Sequence, residues 1–259
     1  VIDMSIEPFT RLTFYSKSDR EKWLPVINGC SELYRLTEFA TFKAKMRRCY
    51  VLHVNPDSLE YYLSLIGSRD YYYIPMLRSK CYQGFSHRHI PPKEGDKWFV
   101  YGVLSHTKED AELFVEASNK GDHRTIGLLL GYPECCIDSF IDRWCSKGII
   151  DPIYEAYGDE CIVHPYCNQA LRYFGLRITP HLPCSGNCES TIKMGSDWFS
   201  IMKQINSVYA DYLFNILSMP FTWSCMNGVA IIDTPIFRGV TNSNFDSKLK
   251  IVRNKGYNR

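Results

Sequence analysis

The alternation of apolar and polar positions changes character near residue 105. Before it the pattern is strand-like. Cys49-Tyr50-Val51-Leu52-His53-Val54, residues 71–74 and residues 98–104 are short runs rich in aromatic and β-branched side chains. The first is followed by Asn55-Pro56-Asp57, a turn that can start a helix, and residues 58–67 carry helical spacing through Leu59, Tyr62, Leu63 and Ile66. Residues 86–95 are polar and interrupted by Pro and Gly, so they read as an exposed loop.

After His106 the period becomes helical. Thr107, with Asp110 three residues on, predicts an N-terminal cap for a helix through Ala111, Leu113, Phe114 and Ala117. Asp122 caps a second helix through Ile126, Leu129 and Leu130, which Gly131 stops. Pro133 then opens a third, over roughly 133–146. Further helices are predicted near 165–174, from about 186 to 204, and from about 207 to 217. Residues 221–226 and 229–234 flank Asn227-Gly228, a two-residue hairpin signal, and the polar tail after Asn242 is expected to fray. The predicted class is α+β. A small mixed α/β part (1–105) precedes a mainly helical part (106–259) that carries the cysteines and ends in a β-hairpin; one continuous domain is equally compatible.

Composition narrows the class. In 259 residues 45% are hydrophobic, enough for a substantial core. The formal net charge is +2; residues 1–105 hold 15 basic and 11 acidic side chains against 15 and 17 in the remainder. Neither half carries the basic footprint of a dedicated nucleic-acid binder. No apolar run approaches the ~20 residues of a membrane span, and no secretory leader opens the sequence. The expected setting is cytoplasmic. Tyrosines are numerous at 18, and most are expected at amphipathic core edges. Cysteines number 11, and in a reducing compartment such an inventory points to ligands or catalysts rather than disulfides. Cys30, Cys49, Cys145 and Cys225 read as small buried hydrophobes.

Seven of the 11 cysteines fall between 135 and 188. In Gly131-Tyr132-Pro133-Glu134-Cys135-Cys136-Ile137-Asp138-Ser139-Phe140, a helix from Pro133 puts Ile137, Phe140, Ile141 and Trp144 on one apolar face. Cys136 borders that face, and Cys135 points about 100° away from it. In His181-Leu182-Pro183-Cys184-Ser185-Gly186-Asn187-Cys188, Ser185 is the expected N-cap of the next helix, which places Cys184 and Cys188 at its start. Two helix starts with two thiols each suit a Cys-ligated iron–sulfur cluster, a 4Fe–4S cluster first, because N-terminal dipoles support thiolate charge. Zinc is the alternative. Adjacent cysteines are expected to diverge, so a zinc site would draw on one of Cys135 and Cys136 with Cys184, Cys188 and His181. The run His164-Pro165-Tyr166-Cys167, with Cys161 nearby, is a further ligand source.

The run Tyr101-Gly102-Val103, then Asp122-His123-Arg124 to Gly127, then Gly131-Tyr132-Pro133-Glu134-Cys135-Cys136, and later His181-x-Pro183-Cys184 with Cys188 and Ser190, resembles an uncharacterised prokaryotic family with a Gly-Tyr-Pro-x-Cys-Cys signature. The match covers roughly residues 98–190. The resemblance implies a prokaryotic-type intracellular protein in which the two cysteine segments belong to one site.

The first expectation for function is an iron–sulfur enzyme. Cys135, Cys136, Cys184 and Cys188 would hold the cluster for redox, sulfur-transfer or Lewis-acid chemistry on a small biosynthetic substrate, with a carrier or redox protein as partner. A metal-free thiol enzyme is the second expectation, with Cys135 as nucleophile, His181 or His164 as base and Glu134 as a further catalytic candidate. A structural-zinc module is the third. His87 and His89 and the basic run Lys43, Lys45, Arg47 and Arg48 read first as solvated surface; His123 and Arg124 are placed equally well to reach a substrate carboxylate or phosphate or to lie at the surface. No phosphate-binding glycine loop, Gly-x-Ser-x-Gly elbow or His-Glu-x-x-His helix occurs.

Overall fold

A computed structural model describes residues 9–55, 58, 64, 71–80, 91–147, 152–157, 162–226, 228–242 and 247–254. The predicted helix residues Leu59, Tyr62, Leu63 and Ile66, the pair His87 and His89, and Cys161 lie outside the described residues. The class is α+β. The chain divides into two compact units, one of residues 1–38, 83–85 and 138–259 and one of residues 39–82 and 86–137. The boundary expected near residue 105 falls inside the second of these.

The larger unit is built on a sheet in the order β1-β8-β7-β6-β9-β5. Its strands are β1 (Thr10–Phe14), β5 (Ile162–Val163), β6 (Phe221–Met226), β7 (Val229–Asp233), β8 (Phe237–Asn242) and β9 (Ser247–Asn254). All neighbours are antiparallel except β5 and β9. Strict alternation fixes which face is covered: Phe221, Trp223 and Cys225 of β6 are buried while Thr222 and Met226 are exposed. The hairpin predicted around Asn227-Gly228 is β6–β7, with Gly228 at φ 81° supplying the left-handed turn position. The tail expected to fray instead supplies β9, whose alternating Leu249, Ile251 and Arg253 leave Val252 to face the core.

Two long helices and a short one accompany that sheet: α1 (Lys17–Lys43), α5 (Pro152–Ala156) and α6 (Glu189–Leu217). In α6 the backbone breaks at Asn206, at φ −157° and ψ 101°. The side chain of Asn206 accepts a hydrogen bond from the backbone of Tyr209 at 3.1 Å and so caps the second half of the helix. The two helices predicted on either side of this point are thus present, meeting at a capped break within the span labelled α6. The core is aromatic: Trp198 and Trp223 are fully buried, and Tyr154 meets Trp223 edge-on at 5.0 Å.

The smaller unit holds the antiparallel sheet β2-β4-β3, made of β2 (Cys49–Val54), β3 (Tyr72–Lys80) and β4 (Trp98–Ser105). One face packs Tyr50, Leu52, Val54 and Leu104 on Phe42 of α1. The other packs Cys49 and Val103 against α2 (Lys108–Lys120) and α3 (His123–Leu129) through Ala111, Phe114 and Leu129. Both predicted caps form. Thr107 accepts from the amide of Asp110 at 3.2 Å, and Asp122 accepts from the amide of Thr125 at 3.0 Å. The basic run is not simply solvated: Arg47 is buried, with its guanidinium 5.3 Å from the Tyr50 ring, and Arg48 is paired with Asp110.

Candidate metal centre

The first cysteine pair sits where α3 gives way to α4 (Glu134–Phe140). Gly131 makes the turn at φ 73°; a Cβ there would lie 3.0 Å from the carbonyl oxygen of Met46. Pro133 then opens α4, its carbonyl accepting the amides of Cys136 at 2.9 Å and Ile137 at 3.0 Å. Ile137 fills the space left by Gly127, where a Cβ would meet the Ile137 side chain at 2.6 Å. The interior glycine of α3 thus permits the close approach that fixes α4. Cys136 is buried beside Ile137 and Cys135 is exposed, as the helical rotation predicts.

The expected divergence of these adjacent thiols is not observed. Their sulfurs lie 3.8 Å apart. Successive helical Cβ atoms do point apart, but rotation about each χ1 can bring the two sulfurs toward one another.

After Phe140 the helix widens into a π-helical segment, Ile141–Ser146, in which the amide of Lys147 bonds the carbonyl of Asp142 five residues back. This shift corrects one reading: Cys145, expected to be buried, is exposed. It also places Arg143, whose guanidinium donates to Ser139 Oγ at 2.6 Å and to the carbonyl oxygen of Cys184 at 3.1 Å. The helix that begins with Cys135 and Cys136 is therefore fastened to the loop bearing Cys184.

That loop is held from several sides. The amide of His164 donates to the carbonyl of Gly186 at 2.8 Å, and Asn187 Nδ2 donates to the carbonyl of Ile162 at 2.6 Å. Gly186 lies against Val163, where a Cβ would come within 3.1 Å of two atoms. These tethers draw Ser185, Gly186 and Asn187 into a turn, so α6 starts later than Ser185 capping would give: Cys188 is the N-cap and Glu189 the first helical residue. Cys188 and Cys136 are buried, Cys184 is half-buried and Cys135 is exposed.

The sulfurs of Cys135, Cys136, Cys184 and Cys188 all lie within 4.8 Å of one another. Four sulfurs this close can share a metal ion. Neither predicted histidine belongs to the group. His181 is buried with Nε2 2.8 Å from Thr191 Oγ1, and burial pushes its pKa down to about 3, so its ring is neutral at ordinary pH. His164 accepts the amide of Tyr166 on Nδ1 at 3.2 Å, and partial burial lowers its pKa as well. Glu134 is exposed and paired with Arg124 at 3.3 Å. Cys167, one of the further ligand candidates, is fully buried; its Sγ lies 3.8 Å from the Cys188 carbonyl. Burial first, and then the neighbouring Cys188, push its thiol up to about 12. It is a neutral neighbour that steadies the N-cap.

Arg143 escaped sequence reasoning. Its one signal was position, seven residues after Cys136 and so on the same helical face, but its acceptor lies 41 residues further on. Compared with known protein families, curated proteins and solved structures, the chain matches none. Fold and site together define an α+β protein with a four-cysteine candidate metal centre. Among the described residues no helix is long and apolar enough to cross a membrane.

Proposed function

We propose that the chain is a metalloprotein in which Cys135, Cys136, Cys184 and Cys188 bind one metal ion, zinc or iron, as four thiolates. The observation that carries this reading is the mutual approach of all four sulfurs to within 4.8 Å. A tetrahedral ion with metal–sulfur bonds of about 2.3 Å holds its thiolates about 3.8 Å apart, which is the separation of the Cys135 and Cys136 sulfurs. A four-iron cube interposes several iron–sulfide bonds between any two of its thiolates, and so needs them further apart. The resemblance to the Gly-Tyr-Pro-x-Cys-Cys family joins the same two segments.

The iron–sulfur enzyme of small-molecule biosynthesis is the second reading, and the exposure of Cys135 favours it. A ligand on the open side can swing outward to admit a larger cluster or release one position to a substrate. A metal-free thiol enzyme has less support, because His181 is already bonded to Thr191 and buried away from solvent. Elemental analysis and absorption spectroscopy of protein prepared without oxygen separate these readings. One zinc with no colour, or one iron with thiolate charge-transfer bands, supports the single ion. Four irons with sulfide and a brown colour support the cluster, and protein free of metal removes both.

A further inference from the structure

The four thiolates need more than proximity. A divalent ion with four thiolates carries a net charge of −2, and two of the four ligands come from a loop that must keep station with a helix some fifty residues earlier in sequence. One side chain meets both needs. Arg143 lies on the direct continuation of the helix that starts with Cys135 and Cys136, and it donates to Ser139 Oγ at 2.6 Å and to the Cys184 carbonyl at 3.1 Å. Both bonds leave from one terminal nitrogen, Nη1, whose two in-plane hydrogens tie the planar guanidinium to both acceptors at once. Its charge is thereby delivered to the backbone of a ligand residue, on the half-buried side of the group.

We infer that Arg143 is a positioning residue of the metal centre, acting through Cys184. It locks the Cys184 loop to the Cys135–Cys136 helix and offsets the negative charge of the bound thiolates. Hydrogen bonds to ligand residues are expected to raise metal affinity by orienting the donor atoms, and removal of such an outer partner typically costs about 10- to 100-fold in affinity. The planar geometry adds a discriminating feature. Lysine keeps the charge and has donors enough for both acceptors, but its ammonium is tetrahedral and its stem is shorter, so it meets them in a different geometry. Glutamine loses the charge, and its amide, two atoms nearer the backbone, falls short of the Cys184 carbonyl.

This inference rests on the single-ion reading, and cobalt(II) separates the failure of one from the failure of the other. Cobalt(II) is titrated into full-length wild-type protein, and the thiolate-to-cobalt charge-transfer bands and tetrahedral ligand-field bands are followed. Zinc then displaces the cobalt against a competing chelator to give relative affinities. Wild-type protein that develops no thiolate bands overturns the metal reading itself. With wild type behaving as a four-sulfur site, Arg143→Gln is expected to bind about 10- to 100-fold more weakly and to shift its ligand-field bands. Arg143→Lys is expected to recover part of the affinity but not the wild-type spectrum. Ser139→Ala, which removes one acceptor and leaves the charge, gives the milder version if the arginine variants fold poorly. Wild-type affinity and an unchanged spectrum in Arg143→Gln, or in Ser139→Ala where the former cannot be purified, would overturn the inference.

Discussion

Two groups of buried thiols in this protein have opposite characters. Cys49 lies in the core of the three-stranded sheet, where its thiol donates to the Asp110 carbonyl at 3.5 Å, and burial with Asp110 nearby pushes its pKa up to about 12. Cys30 is similar, donating to the Tyr209 carbonyl at 3.5 Å and raised to about 12 by burial. Each is a solitary neutral thiol with a backbone acceptor. Cys136 and Cys188 are also hidden from solvent, yet each has three other sulfurs within 4.8 Å. Burial alone therefore does not separate a packing cysteine from a ligand. Convergence does, and it is produced by turn chemistry at Gly131, Pro133 and Gly186 rather than by the cysteines themselves.

The contrast breaks most sharply under substitution. Cys136→Ser or Cys188→Ser should abolish stoichiometric metal binding, a larger loss than the roughly 10- to 100-fold typical of outer-sphere changes. Cys49→Ala should cost on the order of 1 kcal/mol in denaturant unfolding and leave metal content unchanged. Metal measured by mass spectrometry on both purified variants checks the pair. Full metal content in Cys188→Ser would erase the distinction.

Next in size is the packing that aims Cys136. Gly127→Ala forces a Cβ against Ile137; overpacking of this kind costs about 1–3 kcal/mol, partly offset by the ~1 kcal/mol helix preference of alanine. The expected net result is a lowered melting temperature together with weaker metal binding. A more stable variant with unchanged binding would show that α4 does not depend on that contact.

The pH response should differ between these regions too. His181 has a folded pKa of about 3 against an unfolded value near 6.5. The folded state resists its protonation, so it has no effect on stability above about pH 6.5. As pH falls below that, the unfolded state binds the extra proton, and His181 lowers stability by up to about 1.4 kcal/mol per pH unit until its folded pKa is reached. His181→Gln should flatten the fall in urea-unfolding free energy between about pH 6 and 4. Parallel curves for the two proteins would contradict the buried neutral ring. At the small end, Glu134→Gln breaks an exposed pair with Arg124 and should change stability by less than about 1 kcal/mol, with metal content intact.

The parts of this architecture legible in the sequence are the local ones. Helix rotation from Pro133 separated buried Cys136 from exposed Cys135, and the side-chain caps at Thr107 and Asp122 were readable because cap and partner lie within three residues. What escaped was non-local. The strand β1 pairs with β8, Thr10 opposite Thr241, across nearly the whole chain, and no local pattern announces that. Strand β9 hid in a charged tail because its lysines are interleaved with Leu249, Ile251 and Val252. Ser185 satisfied the rules for a cap, but the hydrogen bonds of His164 and Asn187 to and from the neighbouring loop outweighed them. Cys145 was misplaced because its reading rested on the usual burial of free cysteines, whereas it lies exposed in the π-helical segment.

Extended X-ray absorption at the edge of the bound metal, on protein purified without oxygen, tests the four-thiolate centre most directly. The expected spectrum has a single shell of four sulfurs at about 2.3 Å and no metal–metal scattering. A shell dominated by nitrogen or oxygen, or no metal to measure in protein that is folded and fully reduced, would contradict it.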